Sequence, residues 1–226
     1  MKLITHSHRH AEKIISSDSD FNDIFNNFIN VLDGISDEDL CDDFYNRLGK
    51  KRGKSLSKSI NHLIKVRLED NNWASETKIF KPNEYANPWR LDFTKGPFSV
   101  EIAFNHGEAT AWNLMKPVIA SEINHVEKEF QTELGIVVFA SQEMKKKGGF
   151  DNTIKTFEDM DHFLLPLMNY LTIPILIIGL EKPESFEIKH IRPNASSTTK
   201  LGIIYKGEER MIRQGEEHLA DTPIIS

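Results

Sequence analysis

Apolar residues recur along this chain with three different periods, and each predicts a kind of element. Phe21, Ile24, Phe25, Phe28, Ile29 and Leu32 fall at three- and four-residue spacing, which predicts an amphipathic helix packed on a core. A second helix is expected from the cap Ser36, with Asp39 in the position where a capping box usually has Glu or Gln, and with its end near Gly49. Asp37, Glu38 and Asp39 put negative charge on its first turn, which suits the helix dipole. A third helix has Ile60, Leu63, Ile64 and Leu68 inward, and residues 71–79 read as a short strand.

The period then drops to two. Trp89 to Phe93 and Phe98 to Phe104 read as the arms of a β-hairpin around Thr94-Lys95-Gly96-Pro97. Phe98, Val100, Ile102 and Phe104 alternate with Ser99, Glu101 and Ala103, so Glu101 and Ala103 are expected to face away from the core. Leu91 and Phe93 share the core side in this reading, with Arg90 and Asp92 on the other, and Asp92 falls opposite Glu101.

After Gly107 a helical pattern resumes from Ala109 to Met115, and Pro117 either kinks that helix or starts a second. Ile119, Ile123, Val126 and Phe130 continue its apolar face. The runs 134–140 and 173–180 are continuously apolar, as in strands buried on both faces of a parallel sheet. Between them, residues 153–170 have helical spacing, which makes a parallel crossover unit. Pro174 places the start of the second strand at the sheet periphery. Residues 186–191 and 201–205 read as further strands. With no repeat and no linker, residues 1–226 read as one domain: a mostly helical part to residue 70, a core from 71 to 205, and a flexible tail from 206.

Composition narrows the class. Hydrophobic residues make up 39% and charged residues 27% of 226, which describes a globular protein. There is no apolar run of transmembrane length and no secretory signal, so a cytoplasmic setting with no membrane partner is expected. Cys41 is the single cysteine, which excludes an intrachain disulfide and a cysteine-built zinc site. His6, His8 and His10 alternate near the N-terminus, where such histidines are more often exposed than metal-bound. The net charge of −6 argues against indiscriminate nucleic-acid binding but allows a local basic cleft. Two basic runs are candidates for one: Lys50, Lys51, Arg52 and Lys54 in the first, and Lys145, Lys146 and Lys147 in the loop 141–151, at the carboxyl end of a buried strand. Each also reads as a solvated loop.

The candidate chemistry lies on the hairpin. Carboxylates facing each other across a strand pair repel. A divalent cation held between Asp92 and Glu101 would remove the repulsion, and hard oxygen ligands suit Mg²⁺. Screened charges on a solvated face account for the pair as well. Glu76 precedes Asp92 closely enough to be a third acid, or is a surface residue. No Gly-x-Ser-x-Gly, phosphate-binding glycine loop or His-Glu-x-x-His occurs, which disfavours a small-molecule hydrolase.

Helices, an antiparallel hairpin carrying Asp and Glu, a helix and then parallel strands resemble the PD-(D/E)XK nuclease architecture. Arg90-Leu91-Asp92-Phe93, Val100-Glu101-Ile102-Ala103-Phe104, Ala120-Ser121-Glu122-Ile123, Gly135-Ile136-Val137-Val138 and the run 173–180 resemble the BglII-type restriction endonucleases over roughly the central half of the chain. The resemblance implies an α/β fold with a restriction-endonuclease-like core, a mixed central sheet flanked by helices. It also implies a homodimer that grips double-stranded DNA and cuts phosphodiester bonds with Mg²⁺. Asp92, Glu101 and the Ile102 carbonyl would then be metal ligands.

The sequence departs from that pattern at one position. The superfamily usually has Lys two residues after the Glu, and BglII-type enzymes have Gln; this chain has Ala103. Either another side chain reaches the attacking water, or the cation suffices, or the protein binds DNA without cutting it. Nearby substitutes are Asn105, to orient the water, His106 or Glu108, to take its proton, and Glu122 on the following helix.

Overall fold

The structure is a computed structural model and describes residues 1–81, 89–122, 127–194 and 196–225. Strand β1 (Leu3–His8) leads into helices α1 (Ala11–Ser17), α2 (Ser19–Asp33), α3 (Asp37–Asp42) and α4 (Ser57–Asp70). Strands β2 (Ala74–Lys78), β3 (Arg90–Lys95) and β4 (Phe98–Ile102) are followed by α5 (Thr110–Ser121), β5 (Leu134–Ala140), α6 (Gln142–Lys147), α7 (Asp161–Leu167) and β6 (Ile175–Leu180). The chain closes with β7 (Glu187–Ile191), β8 (Leu201–Lys206), β9 (Glu209–Arg210) and β10 (Ile224–Ile225).

Six strands form a mixed sheet in the order β1-β6-β5-β4-β3-β2, in which β4–β5 and β5–β6 are parallel. Every residue of β5 and β6 is buried, as continuous apolar runs require. Pro174 falls at the start of β6, outside its paired residues, although the strand itself is central, between β1 and β5. The proline enters the sheet through its carbonyl, which accepts from the Gly135 N–H at 3.0 Å. No ladder donor is therefore lost.

Strand β1 was not foreseen, because Leu-Ile-Thr-His-Ser-His has little apolar alternation. It pairs antiparallel with β6 at the sheet edge. His8 is buried there, its Nε2 2.9 Å from the Leu171 carbonyl, while His6 and His10 are exposed.

The N-terminal helices follow the apolar pattern. Ser36 and Asp39 complete both halves of the capping box, so Asp fills the role that Glu or Gln usually has. Beyond α3 the chain changes pitch, through a π turn at Asp43–Arg47 and a 3₁₀ turn at Gly49–Lys51. Helix α4 buries Ile60, Ile64 and Leu68. Helix α5 runs unbroken through Pro117, which packs so close to β5 that a Cβ on Gly135 would lie 2.7 Å from the Pro117 Cβ. The continuation of its apolar face at Ile123 and Val126 lies outside the described residues.

Two expectations between β5 and β6 change. The basic loop is the short helix α6, capped by Ser141 and stopped at Gly148-Gly149. The helix expected over 153–170 shrinks to a 3₁₀ turn at Phe157–Asp159 and to α7. Its first residues bridge to other segments instead, Ile154 to His106 and Thr156 to Ala140.

The segment expected as a flexible tail carries β9, a 3₁₀ turn at Glu217–Leu219 and β10. Strands β10, β7, β8 and β9 form a second, four-stranded sheet. Arg210 donates to the carbonyls of Leu219, Ala220 and Thr222, and Leu219 is buried. Tyr45 donates to the Met211 carbonyl at 2.6 Å. Ile188 and Ile204 of this sheet belong to the same apolar cluster as Val100, Ile136 and Ile60.

Candidate active site

The hairpin turns over Gly96-Pro97, with Lys95 paired to Phe98. Gly96 has φ +52°, a conformation that an L side chain rarely adopts and that suits a two-residue hairpin turn. The register then runs Thr94–Ser99 and Phe93–Val100, and one further step sets Asp92 opposite Glu101. On the other side of β3, the pairs Ser75–Phe93 and Thr77–Leu91 bracket Glu76 opposite Asp92. Three acids thus stand in one row across β2, β3 and β4. Glu76 has φ +53° and is exposed.

The surroundings of Glu101 correct the reading from alternation. Glu101 is 1% exposed and Ala103 2%. Strand β4 lies in the middle of the sheet, and α5 covers the face that alternation assigned to solvent: Ala103 packs with Leu114 and Val118. Leu91 and Phe93 also part company. Leu91 packs with Ile79 and Ala120, Phe93 with the main core.

Burial sets the electrostatics. Desolvation raises the pKa of the Asp92 carboxyl, opposed by a 2.7 Å hydrogen bond that its Oδ2 accepts from the Ile102 N–H and by the positive charge of Lys116. Burial first, then the Asp92 charge, push Glu101 up to about 8 against the pull of Lys116. Glu101 Oε2 is in contact with Lys116 Nζ, and that ammonium also donates to the Arg90 carbonyl at 3.1 Å. Glu101 Oε1 is buried and has no hydrogen-bond partner. Lys116 escaped the sequence reading because it lies on an apolar helix, yet it is the one charged residue among the twelve of α5. That isolation was the available signal.

Asp92 lines a pocket of about 310 Å³ together with Glu76, Ile102, Asn105, Asn61 and Lys65. Asn61 and Lys65, with Ser57, come from one face of α4 at four-residue spacing, a signal the apolar count passed over. Asn105 Oδ1 accepts from Asn113 Nδ2 at 2.9 Å, which fixes it at the pocket edge. The Ile102 carbonyl accepts from the Phe104 N–H at 3.2 Å and retains a second lone pair. His106 and Glu108 are exposed and do not line this pocket. Glu122 is not brought to the site: it follows the last turn of α5 and bonds Thr172. Among the described residues, no group of three or more His, Cys, Asp or Glu is placed to hold a metal.

The basic runs divide. Arg52 is 4% exposed and structural: its guanidinium pairs with Glu216 at 2.8 Å, donates to the Gly49 and Gly202 carbonyls, and lies over the Tyr45 ring. It is unavailable to DNA. Lys51 is exposed, and the side chain of Lys50 lies outside the described set. Lys54 pairs with Asp151. Lys145 donates to the carbonyls of Asn152 and Ile154, and Lys147 pairs with Glu187. Lys146 is exposed and, with Lys54, Lys145, Lys189 and His190, borders a cleft of about 1080 Å³.

A family described as restriction endonuclease BglII/BglIII matches residues 3–180. The chain belongs to that family. Membership makes it a type II site-specific deoxyribonuclease, an enzyme acting on DNA. Among solved structures, that of restriction endonuclease BglII complexed with a DNA 16-mer is similar at a TM-score of 0.59 and 16% identity, covering 91% of this chain and 93% of that one. Free BglII gives 0.48 and 15%, covering 100% and 99%. No curated protein matches. The mixed sheet with its flanking helices is the fold of these endonucleases. Among the described residues no helix is long and apolar enough to cross a membrane.

Proposed function

We propose that this protein is a cytoplasmic, Mg²⁺-dependent endonuclease that cuts double-stranded DNA at specific sites as a homodimer, with Asp92 and Glu101 holding the cation. The observation that carries this reading is the buried Oε1 of Glu101, without a hydrogen-bond partner, on a carboxylate that feels the Asp92 charge from the neighbouring strand. A buried oxygen without a partner is unfavourable, and two facing carboxylates repel. One hard cation would satisfy the first and relieve the second, so the residues present fit the group. Mg²⁺ typically takes one or two carboxylates, waters and substrate phosphate oxygens, so a two-carboxylate site with the Ile102 carbonyl beside it is sufficient. Glu76, across from Asp92, is the reserve acid.

The cation would supply Lewis acidity toward the scissile phosphate and its attacking water. This chain's residues do the rest. The Ile102 N–H fixes Asp92 Oδ2. Asn105, itself held by Asn113, orients a water at the pocket edge; His106 and Glu108 lie off this pocket and are assigned no part in the step. Lys65 and Asn61 of α4 face the same pocket and hold the phosphate. Of the basic runs, Lys54, Lys145 and Lys146 border the cleft that would receive DNA, and Lys146, exposed there, would make the firmest contact. A two-fold homodimer matches the symmetry of duplex DNA, with one site per strand.

Ala103 favours a second reading, a nuclease fold that binds DNA without cutting it. Incubation of the purified protein with mixed-sequence plasmid DNA and Mg²⁺, resolved on a gel, separates the two. Discrete fragments that vanish with a chelator support the first. A mobility shift without fragments supports the second.

A further inference from the structure

Lys116 is the unexplained charge of this site. It is a lysine on an otherwise uncharged helix, its side chain only 20% exposed, in contact with a carboxylate that is itself 2% exposed. Among the described residues it is the one cation in contact with Glu101. Burying an ammonium is unfavourable unless its hydrogen bonds are met. Here they are met by Glu101 Oε2 and the Arg90 carbonyl, so the side chain is tethered at both the strand carrying Asp92 and the strand carrying Glu101. Its charge acts on both carboxyls.

The geometry points to Lys116 as the positioning residue of the active site, acting through Glu101 from α5. The contact to Oε2 fixes the carboxylate so that Oε1, the oxygen without a partner, remains for the cation. Ala103 is what makes room. It follows Glu101 on the same face of β4 and packs under α5, against Leu114 and Val118, the residues two before and two after Lys116. A long side chain at 103 would compete with Lys116 for this space. Conversely, an ammonium on residue 103 would reach the same carboxylate once Lys116 is shortened. The small residue on the strand and the charge on the helix are two halves of one arrangement. This inference rests on the proposed roles of Asp92 and Glu101.

The test compares the parent with Lys116→Met, Lys116→Met/Ala103→Lys and Asp92→Asn in single-turnover cleavage of a cognate duplex. DNA affinity is measured separately without divalent cation. Lys116→Met is expected to slow cleavage by about 10–10²-fold, the scale of residues that orient metal ligands, with DNA affinity changed by less than about threefold. Adding Ala103→Lys is expected to recover at least about tenfold of the loss. A readout independent of activity is urea unfolding in a chelator, with Glu101→Gln as the second mutation of a cycle. Lys116→Met should lower the unfolding midpoint of the parent and leave that of Glu101→Gln nearly unchanged, because the coupling is between these two residues. If Lys116→Met does not fold, Lys116→Gln, which can still donate a hydrogen bond, replaces it. Cleavage at the parental rate by Lys116→Met, no recovery from Ala103→Lys, or additive midpoints would each overturn the role of Lys116. Parental cleavage matched by Asp92→Asn would overturn the carboxylate pair instead, and a parent that cuts no DNA would overturn both.

Discussion

Asp92 stands opposite Glu101 across the β3–β4 hairpin, one step beyond the Phe93–Val100 pair, and its Oδ2 is tied to the N–H of the residue that follows Glu101. The two acids are thereby held by backbone register. Asp92→Asn keeps the shape and most of the hydrogen bonding but removes a charge. Single-turnover cleavage should fall by more than the range of about 10–10²-fold typical of residues outside the inner ligand set, while a mobility-shift assay without divalent cation should show DNA binding largely intact. Unchanged cleavage removes Asp92 from the mechanism.

The environment of Glu101 makes stability depend on pH. Its carboxyl is pushed from an ordinary value of 4.5 up to about 8, chiefly by burial and then by Asp92. Between those values the native state binds more protons than the unfolded chain, so stability falls as pH rises through the window. Urea unfolding in a chelator at about pH 5 and about pH 9 should show the parent losing stability at the higher pH, and Glu101→Gln losing less. Equal losses in both proteins would assign the dependence to other groups.

Arg52 predicts a separation of stability from DNA binding. It is buried against Glu216 and two carbonyls, so Arg52→Ala leaves the buried Glu216 carboxylate with only Arg213, 4.0 Å away, and should destabilise the protein by about 3 kcal/mol. The dependence of DNA affinity on salt should not change. A flattened salt dependence in a stable Arg52→Ala protein would return this residue to the DNA interface.

On helix α6 the three lysines should not be equal. Lys145 is engaged with two carbonyls and Lys147 with Glu187, whereas Lys146 is exposed at the cleft. Lys146→Gln should lower the slope of log affinity against log salt by about 1, and Lys147→Gln should change it less. An unaltered slope for Lys146→Gln makes the cleft ordinary solvated surface.

Local pattern carried much of the central sheet and the neighbouring positions of Asp92 and Glu101 on the hairpin. The hairpin register, the capped helix at Ser36 and the buried strands β5 and β6 follow from spacing alone, since each records which face of a single element is dry. What pattern did not carry are contacts between elements distant in sequence. Glu101 reads as solvent-facing until α5 is laid over it, and Lys116 has no meaning until that packing brings its ammonium to β4. Arg52 looks like a DNA contact because its partner, Glu216, is 164 residues away. The tail looks loose for the same reason. Strand β1 is hidden because an edge strand needs less apolar alternation than a central one.

The central claim is that Asp92 and Glu101 together hold a divalent cation. The most direct measurement is a crystal structure of the protein on cognate DNA with Mn²⁺, located by its anomalous scattering, and then with Mg²⁺. The account predicts an anomalous peak between the two carboxylates, with the refined Mg²⁺ about 2.0–2.1 Å from an oxygen of each. A bound duplex with no cation there, or with the cation on other residues while both carboxylates stay unoccupied, would contradict it.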